Sequence, residues 1–258
     1  MLTETKLENN KNFLADLKLS FCRFFKLLKY ELSASCKTLV PIYCAVLAIS
    51  VLTRFVSSEN TSYNFGGLED IMSFLYFSLL TASVCITIVI LCGRFKKSFF
   101  GREAYLNFSL PVGVSNHLAC KLVSCLIWGI LCVIVGISAS MTAMKGWNSF
   151  FKYINNAVVL QIVHDALLFV AWLMADILLF FVAMCVGQLV SKFKTVVQAI
   201  IVVAGLSLPF KIGTNIIFSS FWSGTPVWSG WALLIPLAFS AIWFAICYLI
   251  LRFRLNIE

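Results

Sequence analysis

Charged residues are scarce in this chain. Its 20 basic and 11 acidic side chains amount to 12% of the 258 residues, whereas about a quarter is usual for a soluble domain. Hydrophobic residues reach 61%, and the mean hydropathy is +0.95. The charged side chains are too few to cover the surface of a soluble fold of this size. The composition therefore predicts an integral membrane protein and excludes a large soluble domain.

Groups that carry enzyme chemistry are also few. The two histidines are His117 and His164, and the sequence contains no HExxH, GxSxG or paired-carboxylate pattern. We therefore expect neither a catalytic site nor a metal site. No GxxxxGKS or GxxxxGKT segment is present to hold nucleotide phosphates. We expect that the chain is not an enzyme and binds no cofactor, so any transport would draw its energy from a partner or an ion gradient.

The cysteines and the net charge exclude two further classes. Ten cysteines are present without CxxC spacing, which disfavours a disulfide framework or a zinc site and favours small packing residues. The formal charge is +9, but the cations cluster at the ends of apolar runs. That distribution indicates membrane topology and contact with anionic lipid headgroups, so we expect no nucleic-acid partner.

The apolar runs predict an all-α fold with six transmembrane helices, since each span needs about 20 residues. Residues 1–37 are assigned to a cytosolic N-terminus, 38–251 to the membrane domain and 252–258 to a cytosolic tail. Within the first region, residues 13–32 place apolar side chains on one helical stripe, which predicts an amphipathic helix lying flat on the membrane. The alternative is a soluble core helix. The spans are predicted at residues 38–56, 71–92, 118–144, 157–190, from 196 onward with interruptions at Pro209 and Lys211, and 231–251.

Orientation follows from the Lys and Arg residues of the short connecting segments. Sixteen of the 20 fall on one side of the six-span arrangement, and only Arg54, Lys145, Lys152 and Lys211 fall on the other. Cytoplasmic loops carry the excess of these residues. The sequence therefore predicts that both termini, and the polar segment 94–117 between the second and third spans, lie in the cytosol.

Segment 94–117 is the longest polar break in the chain. The segment mixes aromatic residues with Arg102 and Glu103, Gly101 permits a sharp turn, and Pro111 ends any preceding helix. These features predict a short amphipathic cytosolic helix. A plain interfacial loop packed on lipid is equally compatible with aromatic and charged residues in this mixture.

The same segment resembles the first cytosolic loop of the ABC-2 type permeases, which are membrane subunits of ABC exporters common in Gram-positive bacteria. The similarity rests on an aromatic-Gly-x-Glu-small-Tyr-Leu…Ser-Leu-Pro-Val pattern. Arg102 departs from it, because the family pattern has an acidic residue there. Three other stretches are also similar to the family: residues 29–32, 121–122 and 255–256. The residues that carry the resemblance in the loop are Phe100, Gly101, Arg102, Glu103, Tyr105, Leu106, Leu110 and Pro111.

The resemblance implies that these eight residues form a coupling helix gripped by a separate ATPase subunit that binds ATP and Mg²⁺. It also implies a second permease subunit, identical or paralogous, a location in the bacterial cytoplasmic membrane, and export of an amphipathic peptide, lipid or drug. The alternative is a non-ABC secondary transporter or a membrane scaffold subunit.

Polar residues within the predicted spans form the other candidate site. Asp176 and Lys211 lie at matching depth on neighbouring spans, about 21–22 Å from the cytosolic ends. They either line a substrate pathway or form a buried ion pair that fixes helix docking. His164 and Asp165 lie close to the outer boundary of the fourth run, where they form either a pH-sensing or cation site or ordinary interfacial polar groups.

Overall fold

The computed structural model describes residues 2–56, 66–101, 114–143, 156–189, 193, 195–205 and 231–253. These residues contain six helices. All regular structure in these ranges is α-helical. The helices are α1 (Leu2–Val56), α2 (Gly66–Phe100), α3 (Val114–Ala143), α4 (Asn156–Leu189), α5 (Thr195–Gly205) and α6 (Trp231–Phe253).

Five of these helices are long and apolar enough to cross a membrane: Cys22–Val56, Ile71–Phe100, Ser115–Ala143, Ile162–Leu189 and Leu233–Arg252. The protein is a polytopic helical membrane protein, as the composition predicts. Large apolar side chains such as Phe74 and Val203, exposed by 76% and 70%, are suited to contact with lipid rather than water. Helix α5 is shorter than a span, and the continuation of the predicted fifth span through Pro209 and Lys211 lies outside the described residues.

No break in the helix separates the predicted surface helix from the first span, and the position of the first part of α1 relative to the membrane stays a prediction. Helix α1 runs without interruption through both, and it includes the residues before 13. No Gly or Pro occurs between the two predicted elements, and the Ser35 hydroxyl donates to the Glu31 carbonyl oxygen (3.1 Å) within the helix. Pro41, expected in the first turn of a span, lies inside α1; membrane helices accept such a proline when nearby groups satisfy the freed carbonyl.

The predicted start of the polar segment also differs from the structure. Residues 94–100 form the last two turns of α2, and α3 begins at Val114. Gly93 lies inside α2 without ending it. The Gly101 N–H donates to the Lys97 carbonyl oxygen at 3.1 Å and closes the helix end. The predicted fourth and sixth spans agree with α4 and α6 within two residues.

Three buried clusters follow one another along the bundle. The largest joins the end of α2, the start of α3 and the ends of α4 and α6, and it includes Phe95, Leu118, Phe181 and Cys247. A second cluster places Tyr43 against Trp128, and a third contains Tyr76. Because the chain reverses direction between successive helices, the largest cluster lies at the end of the bundle from which segment 94–117 emerges.

Candidate functional site

A cavity of about 600 Å³ lies among α1, α2, α3 and α4. That volume falls within the range of pockets for small molecules, about 300–1,000 Å³. Aliphatic and aromatic side chains form most of its wall, including Val46, Leu80 and Phe180. The polar side chains among its lining residues, apart from three cysteines, are Ser83, Thr87, Ser140 and Asp176.

Asp176 supplies the one charged side chain among the described residues that line this cavity. It lies on α4 and is partly buried. Within the described ranges no Lys or Arg forms an ion pair with it. The predicted partner, Lys211, lies outside the described residues, so the pairing remains a prediction. A carboxyl group at this depth is costly, and it is retained in membrane proteins where it faces a cavity or a partner.

The hydroxyl groups of the wall hold neighbouring helices together. Thr87 donates to the Ser83 carbonyl oxygen at 2.7 Å, so its oxygen is free to accept from the Tyr43 hydroxyl at 3.1 Å. Ser140 donates to the Gly136 carbonyl oxygen at 2.8 Å and in the same way accepts from Tyr76 at 2.9 Å. These bonds join α1 to α2 and α2 to α3 around the cavity.

An ion cluster ties three helices together at the end from which segment 94–117 emerges. The Glu31 carboxylate on α1 lies 2.5 Å from the Lys121 Nζ on α3 and 3.9 Å from an Arg94 nitrogen on α2. Arg94 also donates to the Ala34 carbonyl oxygen. Sequence reasoning noted the stretches around Glu31 and Lys121 only by resemblance and missed their contact. The available signal was a set of opposite charges at the ends of three apolar runs.

An aromatic stack joins the end of α2 to the cavity wall. The rings of Phe95 and Phe181 have centroids 4.0 Å apart and an interplanar angle of 12°, and Phe99 packs against Phe95 at 4.8 Å. Phe181 lies on α4 five positions after Asp176, and it also lines the cavity. The last turns of α2 are therefore in direct contact with a wall of the cavity.

Only two of the eight predicted coupling residues lie among the described residues. Phe100 packs against the largest buried cluster, and Gly101 closes α2. A Cβ atom at Gly101 would lie 2.5 Å from the Lys97 carbonyl oxygen, so the end of α2 requires glycine. The other six, Arg102, Glu103, Tyr105, Leu106, Leu110 and Pro111, lie outside the described residues.

His164 and Asp165 do not belong to the cavity. They are adjacent on α4, with His164 Nδ1 at 3.5 Å from Asp165 Oδ1. The Asp165 side chain is 66% exposed, and eleven residues, or about 16 Å of helix, separate it from Asp176. In the described part of the chain, no group of three or more His, Cys, Asp or Glu side chains is arranged to hold a metal ion.

No protein-family model matches this chain, and neither the curated proteins nor the solved structures include a significant match. The fold and the cavity therefore define the class of the protein by themselves. It is a helical, polytopic membrane protein with a carboxyl-bearing apolar cavity between four of its helices.

Proposed function

We propose that this chain is the membrane-spanning permease subunit of an ATP-driven exporter of the ABC-2 type. Separate ATPase subunits would hold ATP and Mg²⁺, grip segment 94–117 and move an amphipathic cargo through the permease. The observation that carries the proposal is the contact of the end of α2 with the cavity, through the stack of Phe95 on Phe181.

This contact supplies a path for mechanical force. Segment 94–117 begins with the last two turns of α2, so a push on this segment would act on a helix end. That helix end is fixed to α1 and α3 by the Glu31 ion cluster and to α4 by the stacked rings. Packed interfaces of this kind switch between discrete arrangements rather than bending continuously. A shift of α2 would therefore change the shape of the cavity.

The remaining parts of the proposal concern the assembly. The excess of cations in the segments assigned to the cytosol favours cytosolic termini in a bacterial cytoplasmic membrane. A working unit would contain two ATPase subunits and two permease subunits, the second permease being a copy or a paralogue of this chain.

The test is purification of the tagged chain from its native membrane, followed by identification of its partners and measurement of ATP hydrolysis. We expect a subunit with a GxxxxGKS or GxxxxGKT segment to co-purify, and hydrolysis to rise when amphipathic compounds are added. A complex without an ATP-binding subunit would contradict the proposal.

A secondary transporter is the second candidate, because Asp176 offers a carboxyl group inside the cavity to a coupling ion. In that case the purified chain alone, reconstituted in vesicles, would move its substrate when an ion gradient is applied without ATP. A scaffold subunit would show neither activity.

A further inference from the structure

We infer that the cavity among α1–α4 binds a monovalent organic cation with an apolar body, such as a substituted ammonium or phosphonium ion. The inference deepens the proposed function, on which it rests for the role of this ligand as cargo. It starts from the charge, the hydrogen-bonding character and the size of the cavity, all of which point to the same class of ligand.

The charge of the wall excludes anions and disfavours neutral ligands. Among the described residues that line the cavity, Asp176 is the one with a charged side chain. No Lys or Arg of the described residues pairs with it. An anion would be repelled at short range in a medium of low dielectric constant. A neutral ligand would displace water and leave the carboxylate without a partner among the described residues, whereas a cation would pair with it.

The hydroxyl groups of the wall favour the same sign of charge. Ser83 donates its proton to the Leu80 carbonyl oxygen at 2.7 Å, and Thr87 and Ser140 donate theirs to carbonyl oxygens of their own helices. Each hydroxyl proton is therefore used within its helix. The Thr87 and Ser140 oxygens already accept one hydrogen bond each from a tyrosine hydroxyl. What the three hydroxyls can still offer to a ligand is a remaining lone pair of the oxygen, which attracts a positive charge.

The size and the remaining wall set the body of the ligand. About 600 Å³ accommodates a drug-sized molecule and is too small for a folded domain. Apart from the polar groups already named and three cysteines, the lining side chains are hydrocarbon, aromatic or thioether, together with two glycines. Burial of a ligand's apolar surface against such a wall is favourable, so the cation should carry bulky aliphatic or aromatic groups.

The experiment compares two ligands of nearly the same shape and opposite charge. The purified full-length chain, in nanodiscs of zwitterionic lipid, is titrated with tetraphenylphosphonium and, separately, with tetraphenylborate. We expect the phosphonium ion to bind at least about tenfold more tightly, because loss of one partner of a buried charge pair costs at least that much. Equal affinity, or preference for the borate ion, would overturn the inference.

Two pairs of variants locate the site. Asp176→Asn should abolish the preference for the phosphonium ion, whereas Asp165→Asn, on the same helix but outside the cavity, should preserve it. Gly136→Leu should block binding, because Gly136 lines the cavity and a Cβ there meets no atom within 4 Å. Gly93→Leu is the matched control, since a Cβ there is equally unobstructed but Gly93 is not a lining residue.

Retention of tight, charge-selective binding by both Asp176→Asn and Gly136→Leu would also overturn the inference. The wild-type comparison of the two ions is decisive even if a variant fails to fold. None of these measurements needs ATP or a partner subunit. Absence of cation binding would thus leave the proposed permease function intact, and absence of an ATPase partner would leave the cation site intact.

Discussion

Glu31 on α1 and Lys121 on α3 form an ion pair with a nitrogen–oxygen distance of 2.5 Å, and Arg94 on α2 approaches the same carboxylate at 3.9 Å. The Glu31 and Lys121 side chains are only 18% and 10% exposed. One carboxylate therefore holds three helices together, next to the segment on which the proposed ATPase would act.

We expect Glu31→Gln to lower the free energy of unfolding by about 3 kcal/mol, because it leaves two cations close together without a counter-charge in a poorly solvated site. The measurement is the thermal or denaturant midpoint of the purified protein in detergent. In the double variant with Lys121→Met, part of the loss should be recovered. Strict additivity of the two changes would show that the pair contributes no coupling.

The stacked rings give a second prediction. Phe95 is fully buried against Phe181, and Phe95→Leu replaces the flat contact with a smaller, branched side chain. In the reconstituted complex, we expect the number of cargo molecules moved per ATP hydrolysed to fall severalfold while the protein remains folded. Phe74→Leu is the control, because Phe74 is 76% exposed. An equal effect of the two substitutions would contradict a role for the stack in force transmission.

Gly101 gives a prediction about the helix end. Gly101→Ala places a Cβ 2.5 Å from a backbone oxygen of Lys97, which cannot move as a side chain can. We expect the last turn of α2 to be displaced and the coupling of ATP hydrolysis to transport to weaken, with normal insertion into the membrane. Gly93→Ala, whose Cβ meets nothing within 4 Å, should behave as wild type. Wild-type coupling in Gly101→Ala would show that the helix end tolerates the change.

The predicted coupling residues Glu103 and Tyr105 lie outside the described residues, so mutagenesis tests them directly. We expect Glu103→Lys or Tyr105→Ala to uncouple ATP hydrolysis from transport while the protein still inserts, because each alters the surface that the ATPase would grip. The measurements are transport, hydrolysis and co-purification of the ATPase. No change in any of these for both variants would exclude the coupling role.

Asp176 either serves the cavity as part of a substrate pathway or forms a structural ion pair with Lys211. Measurements of both the thermal midpoint and transport distinguish these two roles. If it serves the cavity, Asp176→Asn should impair transport severalfold without lowering the thermal midpoint, because removal of a membrane-embedded charge is not itself destabilising. A fall in the midpoint that is reversed by adding Lys211→Met would instead indicate a structural ion pair. Transport that is intact in both Asp176→Asn and Lys211→Met would exclude the pathway.

The sequence by itself determined the class of the protein. Scarcity of charge and long apolar runs leave only helices in a membrane for such a chain, because backbone polar groups must be satisfied within each span. For the same reason the ends of α4 and α6 were predicted within two residues. Hydropathy could not show that α1 is continuous or that α2 extends to Phe100, because the end of an apolar run marks where a helix leaves the membrane and not where the helix itself ends.

The tertiary structure alone decided which side chains meet. Asp176 could be placed in a span from the sequence, but its position in the wall of a cavity depends on how four helices pack. The Glu31–Lys121 pair and the Phe95–Phe181 stack likewise join residues far apart in the chain. Periodicity and composition are local properties, whereas these contacts arise from helix packing between separate segments, where the small and large side chains of facing helices fix the fit.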